Sequence, residues 1–315
     1  MATKIDWVVA LANARGLRAN VWNPFAGCTP VSEGCRHCWA ATEAHMRRNN
    51  QKVAPFFADL TRVNDKNKPV FIGTVRETTG QEMIKPLHTR HKTVYFLSRF
   101  DPFHAALTND QIDQIFAVMA LSPQHLFLVL TKRPTRLRDY LTTRERAIAE
   151  HAICWSTFSC INAPSVRWPN GVGRVLDYIP DGFVTWPLPN VWLGTSVEDQ
   201  ESADQRLQPL IETPAALRFL SAEPLLAGLD INRDQLGALD WVIAGGESGP
   251  GSRPTLPDWV RSLRDQCTDN NVPFYFKQWG DWIVCDNAAI RVGKHVSGRS
   301  IDGCHHLDVP RKGLL

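Results

Sequence analysis

VWLGTSVED (Val191–Asp199) carries the pattern on which the fold reading turns. A short apolar run stops abruptly at glycine and polar residues, and a helical pattern follows. Buried parallel strands whose C-terminal ends carry chemistry read this way. Three more segments share the pattern: Leu217–Leu220 runs into SAEP, Trp241–Ala244 into GGESGPG, and Pro273–Phe276 into KQWG. Earlier in the chain, Arg18–Trp22 precedes a cysteine-rich loop, Val70–Thr74 precedes VRET, Val94–Leu97 precedes SRFDPFH, and Leu126–Leu130 precedes TKRP. Helical patterns lie over Asp110–Ala120, Thr135–Ala149, Asp199–Ile211 and Asp258–Thr268, the last three opening on residue types that cap helix N-termini. Between Gln81 and Lys92 there is room only for a stunted helix. Eight β/α alternations predict an α/β fold, a (β/α)8 TIM-type barrel whose active-site residues come from the strand C-termini.

Two stretches break the alternation. Residues 153–189 hold Trp155, Trp168 and Trp186 among prolines and glycines without lasting periodicity. They read as a long insertion before the fifth strand, either a lid over the barrel mouth or a surface excursion. Residues 281–315 are polar and read as a C-terminal appendage to a barrel spanning residues 1–280.

Composition narrows the class. With 43% hydrophobic and 21% charged residues the chain has the makings of an ordinary core, and a net charge of +3 does not by itself announce nucleic acid. No apolar run reaches the length of a bilayer span. WVVALANA (Trp7–Ala14) is short and follows Asp6, so it reads as part of the fold rather than as a signal segment. Cys154, Cys160, Cys267, Cys285 and Cys304 are scattered, which suits a reducing, cytoplasmic setting better than a disulfide framework.

Three of the eight cysteines are not scattered. In GCTPVSEGCRHCWA (Gly27–Ala40), Cys28, Cys35 and Cys38 are spaced C-x6-C-x2-C, with a glycine directly before each of the first two and Pro30 in the longer gap. Glycine widens and proline narrows the backbone's choices, so the segment reads as a loop that turns its thiols inward. Three thiolates suit a Cys3His zinc site completed by His37 or His45, or an iron–sulfur cluster with one open iron. The plainer alternative is three unrelated thiols in a reduced protein.

VWNPFAGCTPVSEGCRHCWA (Val21–Ala40), together with LTKRP (Leu130–Pro134), NVWLGTSVEDQ (Asn190–Gln200), LRFLSAEPLL (Leu217–Leu226), DWVIAGGESGPGSRP (Asp240–Pro254), DWVRSLRDQC (Asp258–Cys267), VPFYFKQWG (Val272–Gly280) and VGKHVSGRSIDG (Val292–Gly303), carries a resemblance. The chain resembles a phage and bacterial family of three-cysteine-motif proteins grouped with the radical S-adenosylmethionine (SAM) enzymes. The resemblance implies a [4Fe–4S] cluster held by Cys28, Cys35 and Cys38, SAM on its open iron, and an external electron donor. The spacing departs from the C-x3-C-x2-C of most such enzymes, and Trp39 stands where a tyrosine is usual in the family. In radical SAM enzymes a GGE motif after the second strand binds the SAM amino group; here Gly245, Gly246 and Glu247 follow the anticipated seventh strand.

Read from the residues themselves, the strand ends suggest a cup for anions and amines. Gly245 and Gly246 would admit a ligand close to the backbone, and Glu247 would accept hydrogen bonds from an ammonium group. Glu198 and Glu223, with Ser196 beside them, are candidates for SAM ribose or substrate, and Lys132 and Arg133 for a carboxylate or phosphate. Asp101, His104, Lys277, Gln278 and Trp279 are substrate candidates. Barrel-mouth charges that simply pair with one another are the competing reading.

Basic residues gather at Arg133-Arg136-Arg138-Arg144-Arg146 and at His88–Lys92, and tryptophans of the insertion would stack on bases. That combination suits nucleic acid, although Asp139, Glu145 and Glu150 interleave with the arginines. With the phage resemblance, the expected substrate is a modified pyrimidine in DNA, isomerised or rearranged by radical chemistry. Radical repair of a DNA lesion and a non-catalytic zinc-binding, nucleic-acid-associated protein are the alternatives.

Overall fold

The computed structural model describes residues 3–149, 185–285 and 288–311. In chain order its strands are β1 (Arg18–Val21), four short strands β2 (Phe25–Ala26), β3 (Thr61–Val63), β4 (Pro69–Phe71) and β5 (Arg76–Glu77), then β6 (Thr93–Phe96), β7 (Leu126–Thr131), β8 (Val191–Ser196), β9 (Leu217–Ala222), β10 (Trp241–Ala244) and β11 (Phe274–Phe276). A last hairpin pairs β12 (Trp282–Cys285) with β13 (Ala288–Arg291). Six helices of eight residues or more stand among the described residues: α1 (Asp6–Ala14), α2 (Trp39–Arg47), α3 (Asn109–Ala120), α4 (Pro134–Leu141), α5 (Gln200–Glu212) and α6 (Pro257–Asp269).

Seven of the eight anticipated strands form one parallel sheet in the order β1-β6-β7-β8-β9-β10-β11. The sheet is open, and the expectation of a closed (β/α)8 barrel is corrected. The missing strand is Val70–Thr74. Its residues pair instead as β4 with β3 in an antiparallel hairpin, and Phe71 is buried in a small separate cluster with Ala40, Ala41 and Ala44 of α2. An apolar run three or four residues long does not state its partner, and here a local hairpin took it.

Closure is also blocked at both edges. The Thr3 N–H donates to the Ala19 carbonyl beside β1. On β11, Phe276 N–H donates to the His306 carbonyl at 2.8 Å and Asp308 N–H to the Phe274 carbonyl at 3.2 Å. The tail beyond Asp281 thus covers a sheet edge, which would otherwise present unpaired backbone groups. Arg15 adds a hydrogen bond to the Pro310 carbonyl at 3.0 Å.

Strand residues alternate between two apolar layers. Tyr95, Phe127, Val129, Leu193, Leu220, Val242 and Phe276 face Ile112 and Phe116 of α3, Leu137 of α4, Leu207 of α5 and Leu263 of α6. Val94, Phe96, Leu128, Trp192, Phe219, Trp241 and Tyr275 face the opposite way, and α1 covers them with Trp7, Val8, Leu11 and Ala12. This is the face that a closed barrel would turn inward. The Trp7 ring fills it, with its centroid 4.8 Å from Phe96 and 5.7 Å from Trp241. WVVALANA is therefore a core helix, its apolar residues on one stripe.

Helix starts follow local chemistry with two shifts. Asp199 caps α5 as expected, accepting from Ser202 N–H at 2.9 Å. Thr135 and Asp258 do not cap; each helix instead opens on the preceding proline, Pro134 or Pro257, where a missing N–H costs nothing. The anticipated insertion lies outside the described residues up to residue 184; at its end Trp186 packs against the main core. No helix among the described residues is long and apolar enough to cross a membrane.

Candidate functional site

The cysteine segment reaches the carboxyl end of the sheet through a short detour. After β1, β2 pairs antiparallel with β5, and Gly27 then forms a parallel bridge with Phe100, just beyond β6. Gly27 has φ +110°, and a Cβ there would stand 2.1 Å from the Thr74 carbonyl oxygen, so only glycine fits. Cys28 follows directly. Cys35 ends the short turn Glu33–Cys35, and Cys38 is the N-cap residue of α2. Cys28 and Cys38 both pack against the apolar cluster of Ala26, Phe57, Leu60 and Phe71.

The three thiols feel one another: Cys28 interacts with Cys38, and Cys38 with Cys35. Burial pushes the Cys28 thiol up to about 12, with Asp101 adding to the rise and Arg133 opposing it. Burial also raises Cys38, against the pull of Ala41 N–H and Lys132. Because the thiolate is the nucleophile, metal-free chain treated with iodoacetamide near pH 8 is expected to label the exposed Cys285 and Cys304 at least about 100-fold faster than Cys28, Cys38 or buried Cys267. Peptide mass mapping over time checks this; Cys28 labelling as fast as Cys304 would contradict the packing.

A polar brace holds Cys28. Arg133 donates to Cys28 Sγ at 3.8 Å, to the Thr29 carbonyl at 3.0 Å and to Asp101 Oδ2 at 2.7 Å. Asp101 is itself buried and accepts from Thr131 Oγ1, Lys132 N–H and Phe103 N–H. His104 Nδ1 accepts from Ala106 N–H, which leaves the proton on Nε2 to donate to Thr29 Oγ1 at 2.7 Å. Burial and Arg133 both hold His104 below its usual range, so the ring is neutral. Asp101 and His104, read in the sequence as substrate candidates, are tied into the frame of the cysteine loop.

The three candidate carboxylates are likewise engaged. Glu198 is fully buried between Lys132 Nζ at 2.5 Å and Arg206 at 3.1 Å, beside Gly34 of the cysteine segment. Glu223 pairs with Lys277 at 2.9 Å. Glu247 accepts three hydrogen bonds from Arg253, through the backbone N–H, Nε and NH2, and Arg253 continues to Glu33 between the cysteines. Ser196 donates to the Glu223 carbonyl at 3.3 Å.

The glycines serve chain packing. A Cβ on Gly246 would lie 2.0 Å from the Trp279 carbonyl oxygen, and one on Gly245 2.7 Å from the Glu223 carboxylate. Gly246 N–H donates to the Gln278 carbonyl, and the Trp279 indole to the Ser300 carbonyl. Arg206, Arg253, Ser32 and Asn23 escaped the sequence reading. Asn23 is buried after β1 and accepts from Ser98 and Arg99 N–H. The signal for Arg253 was its place six residues beyond Glu247 in one polar loop.

Most of the anticipated basic track is internally committed. Arg136 donates to the carbonyls of Phe103, His104 and Leu107, Arg138 pairs with Asp139 and Glu212, and Arg144 with Asp113. His37 Nδ1 is bonded to Lys68 and His45 Nδ1 to Thr61, so neither turns that nitrogen to the thiols. Among the described residues no three His, Cys, Asp or Glu side chains are grouped to hold one metal ion. Ligands of a cubane stand further apart than ligands of a single ion, because four irons and their sulfides lie between them. The donor set suits such a cluster: three neighbouring thiols, with Arg133, Lys132 and the N-terminus of α2 to offset its negative charge.

No curated protein and no solved structure matches the chain. A family model does, over residues 3–310, described as "Protein of unknown function (DUF5131)". A match that runs over nearly the whole sheet, the cysteine segment and both edge-covering ends places the protein in the DUF5131 family.

Proposed function

We propose that this protein is a radical SAM enzyme in which Cys28, Cys35 and Cys38 hold a [4Fe–4S] cluster, and that its substrate is a modified pyrimidine of DNA. The observation that carries the reading is the delivery of all three thiols of one C-x6-C-x2-C segment to the carboxyl end of a parallel sheet, braced there by Arg133 and Arg253. Held by Cys28, Cys35 and Cys38, a [4Fe–4S] cluster would supply the one-electron reduction of SAM, with the electron coming from an external donor.

The chain's own residues position and shield. Arg133 fixes the Cys28 end of the loop, and Asp101 fixes Arg133. Arg253 pins the middle of the loop to the end of β10 by bonding both the Glu33 carbonyl and Glu247. Glu247 remains the proposed SAM-facing group at the end of β10, with Ser196, Glu198, Glu223, Lys132 and Arg133 around it, while Gly245 and Gly246 are taken up by packing against Glu223 and Trp279. Lys277, Gln278 and Trp279 close the rim from β11, and the exposed Trp39 indole beside Cys38 offers a stacking face for a base. Rearranging a pyrimidine substituent is work for a carbon radical, which favours this substrate class.

Anaerobic reconstitution with iron and sulfide, followed by SAM and dithionite, tests the reading. The wild-type protein is expected to turn brown and release 5′-deoxyadenosine, more of it with phage DNA containing modified pyrimidines; Cys35→Ala is expected to stay pale and release none. A colourless wild-type protein, or a brown one yielding no 5′-deoxyadenosine, would sink the proposal.

A further inference from the structure

Beside the cysteine loop lies a cavity of about 510 Å³ whose charged lining is mostly basic: Arg36, Lys66, Lys68 and Arg253 against the single carboxylate Asp65. Three separate segments build it. Arg36 and His37 lie between Cys35 and Cys38, the β3–β4 turn supplies residues 64–68, and the loop after β10 supplies Gly251 and Arg253.

The four cations are not equivalent. Arg253 is held by Glu247 and Glu33, and Arg36 by Glu33 at 2.9 Å. The lysines carry the surplus charge. Lys68 Nζ donates to His37 Nδ1 at 2.9 Å and to the Pro250 carbonyl at 3.0 Å, both neutral acceptors. Neither Lys66 nor Lys68 forms an ion pair among the described residues.

Their placement is built in. Asn64 Oδ1 accepts from both Lys66 N–H and Lys68 N–H at 3.0 Å, and Asn67 takes φ +55° to complete the turn. Gly251 has φ +76°, and a Cβ there would stand 2.0 Å from Lys68 Nζ. The loop after β10 thus keeps a glycine where a side chain would evict the ammonium group.

We propose that this cavity is an anion site for the phosphate of a nucleotide or a nucleic-acid strand, read by Lys66 and Lys68 with Arg36 at its rim. A phosphate seated there brings the attached nucleoside alongside the loop between Cys35 and Cys38. That the nucleotide is the enzyme's substrate rests on the radical SAM reading; the phosphate site itself does not.

The test is equilibrium binding, without SAM or reductant, of labelled oligothymidylate and of thymidine 5′-monophosphate, with inorganic phosphate as competitor. Lys66→Ala/Lys68→Ala is expected to bind about tenfold more weakly or worse, with a salt dependence shallower by about one to two in log K against log salt. Arg233→Ala, an exposed change outside the cavity, is expected to match wild type, and circular dichroism checks that each variant is folded. Loss for the oligonucleotide alone assigns the site to a polymer backbone, and loss for both ligands assigns it to a nucleotide phosphate.

Binding by neither ligand to wild-type protein overturns the proposal, as does unchanged affinity and salt slope in the folded double variant. Because no turnover is involved, failed SAM cleavage with intact phosphate binding counts against the radical reading alone.

Discussion

Replacing Glu198 by alanine is expected to destabilise the protein by about 3–5 kcal/mol, the usual cost of stripping the counter-charge from a buried cation. Two cations lose it at once: Lys132 at the end of β7, and Arg206, which is buried and among the described residues keeps only the Ser196 carbonyl at 2.7 Å. Glu198→Gln keeps the volume and one acceptor oxygen and is expected to lose less. Chemical denaturation of both variants, with unchanged m-values as the check on compactness, measures the difference. An alanine variant as stable as wild type would mean that water reaches the pair.

The same group makes a pH prediction. Burial pulls the Glu198 carboxyl up, but Lys132, Ser32 and Arg206 together hold it below the usual glutamate range. A carboxyl whose folded pKa is depressed contributes stability above its unfolded pKa and loses it as pH falls through the folded value. Wild type is therefore expected to lose stability on acidification below about pH 4.5 more steeply than Glu198→Gln, which has no proton to take up there.

Trp7→Ala is expected to cost about 3–5 kcal/mol, the range for emptying a large aromatic from a packed core. The indole is 2% exposed and meets Phe96, Phe219 and Trp241 on three different strands. No loop can collapse into the hole, since those strands are fixed by the sheet. Trp7→Phe is expected to recover most of the loss. Thermal unfolding of the two variants decides it, and a small effect in Trp7→Ala would show that the face under α1 repacks freely.

Much of the fold was legible because strand burial writes itself into local sequence. Trp241–Ala244 was delimited to the residue, and the abrupt polar endings of β7, β8, β9 and β10 lie at the carboxyl edge of the sheet, as read. Asp199 was legible as a cap because its partner, Ser202 N–H, is only three residues away. Val70–Thr74 was misassigned because an apolar run carries no address: it says that a strand is buried, and not beside which one. Closure failed for a related reason, since the segments covering β1 and β11 are polar and irregular and have no period to read.

The candidate site divides in the same way. Cys28, Cys35 and Cys38 stand out by spacing, and their clustering needs only a short loop. The partners of Glu198 and Glu247 do not stand out, because an ion pair is recorded by distance in space and arginine looks alike wherever it sits. Gly246 shows the limit well: its place after a buried strand suggested room for a ligand, whereas the space belongs to the Trp279 carbonyl.

By itself, then, the sequence determined the parallel α/β class, the order of most strands and the identity of the three thiols, all properties carried by spacing within a dozen residues. Tertiary structure alone decided that the sheet stays open, that α1 fills its inner face, and that the carboxylates at the strand ends are spoken for. Those outcomes depend on which distant groups meet, and periodicity along a chain holds no information about meeting.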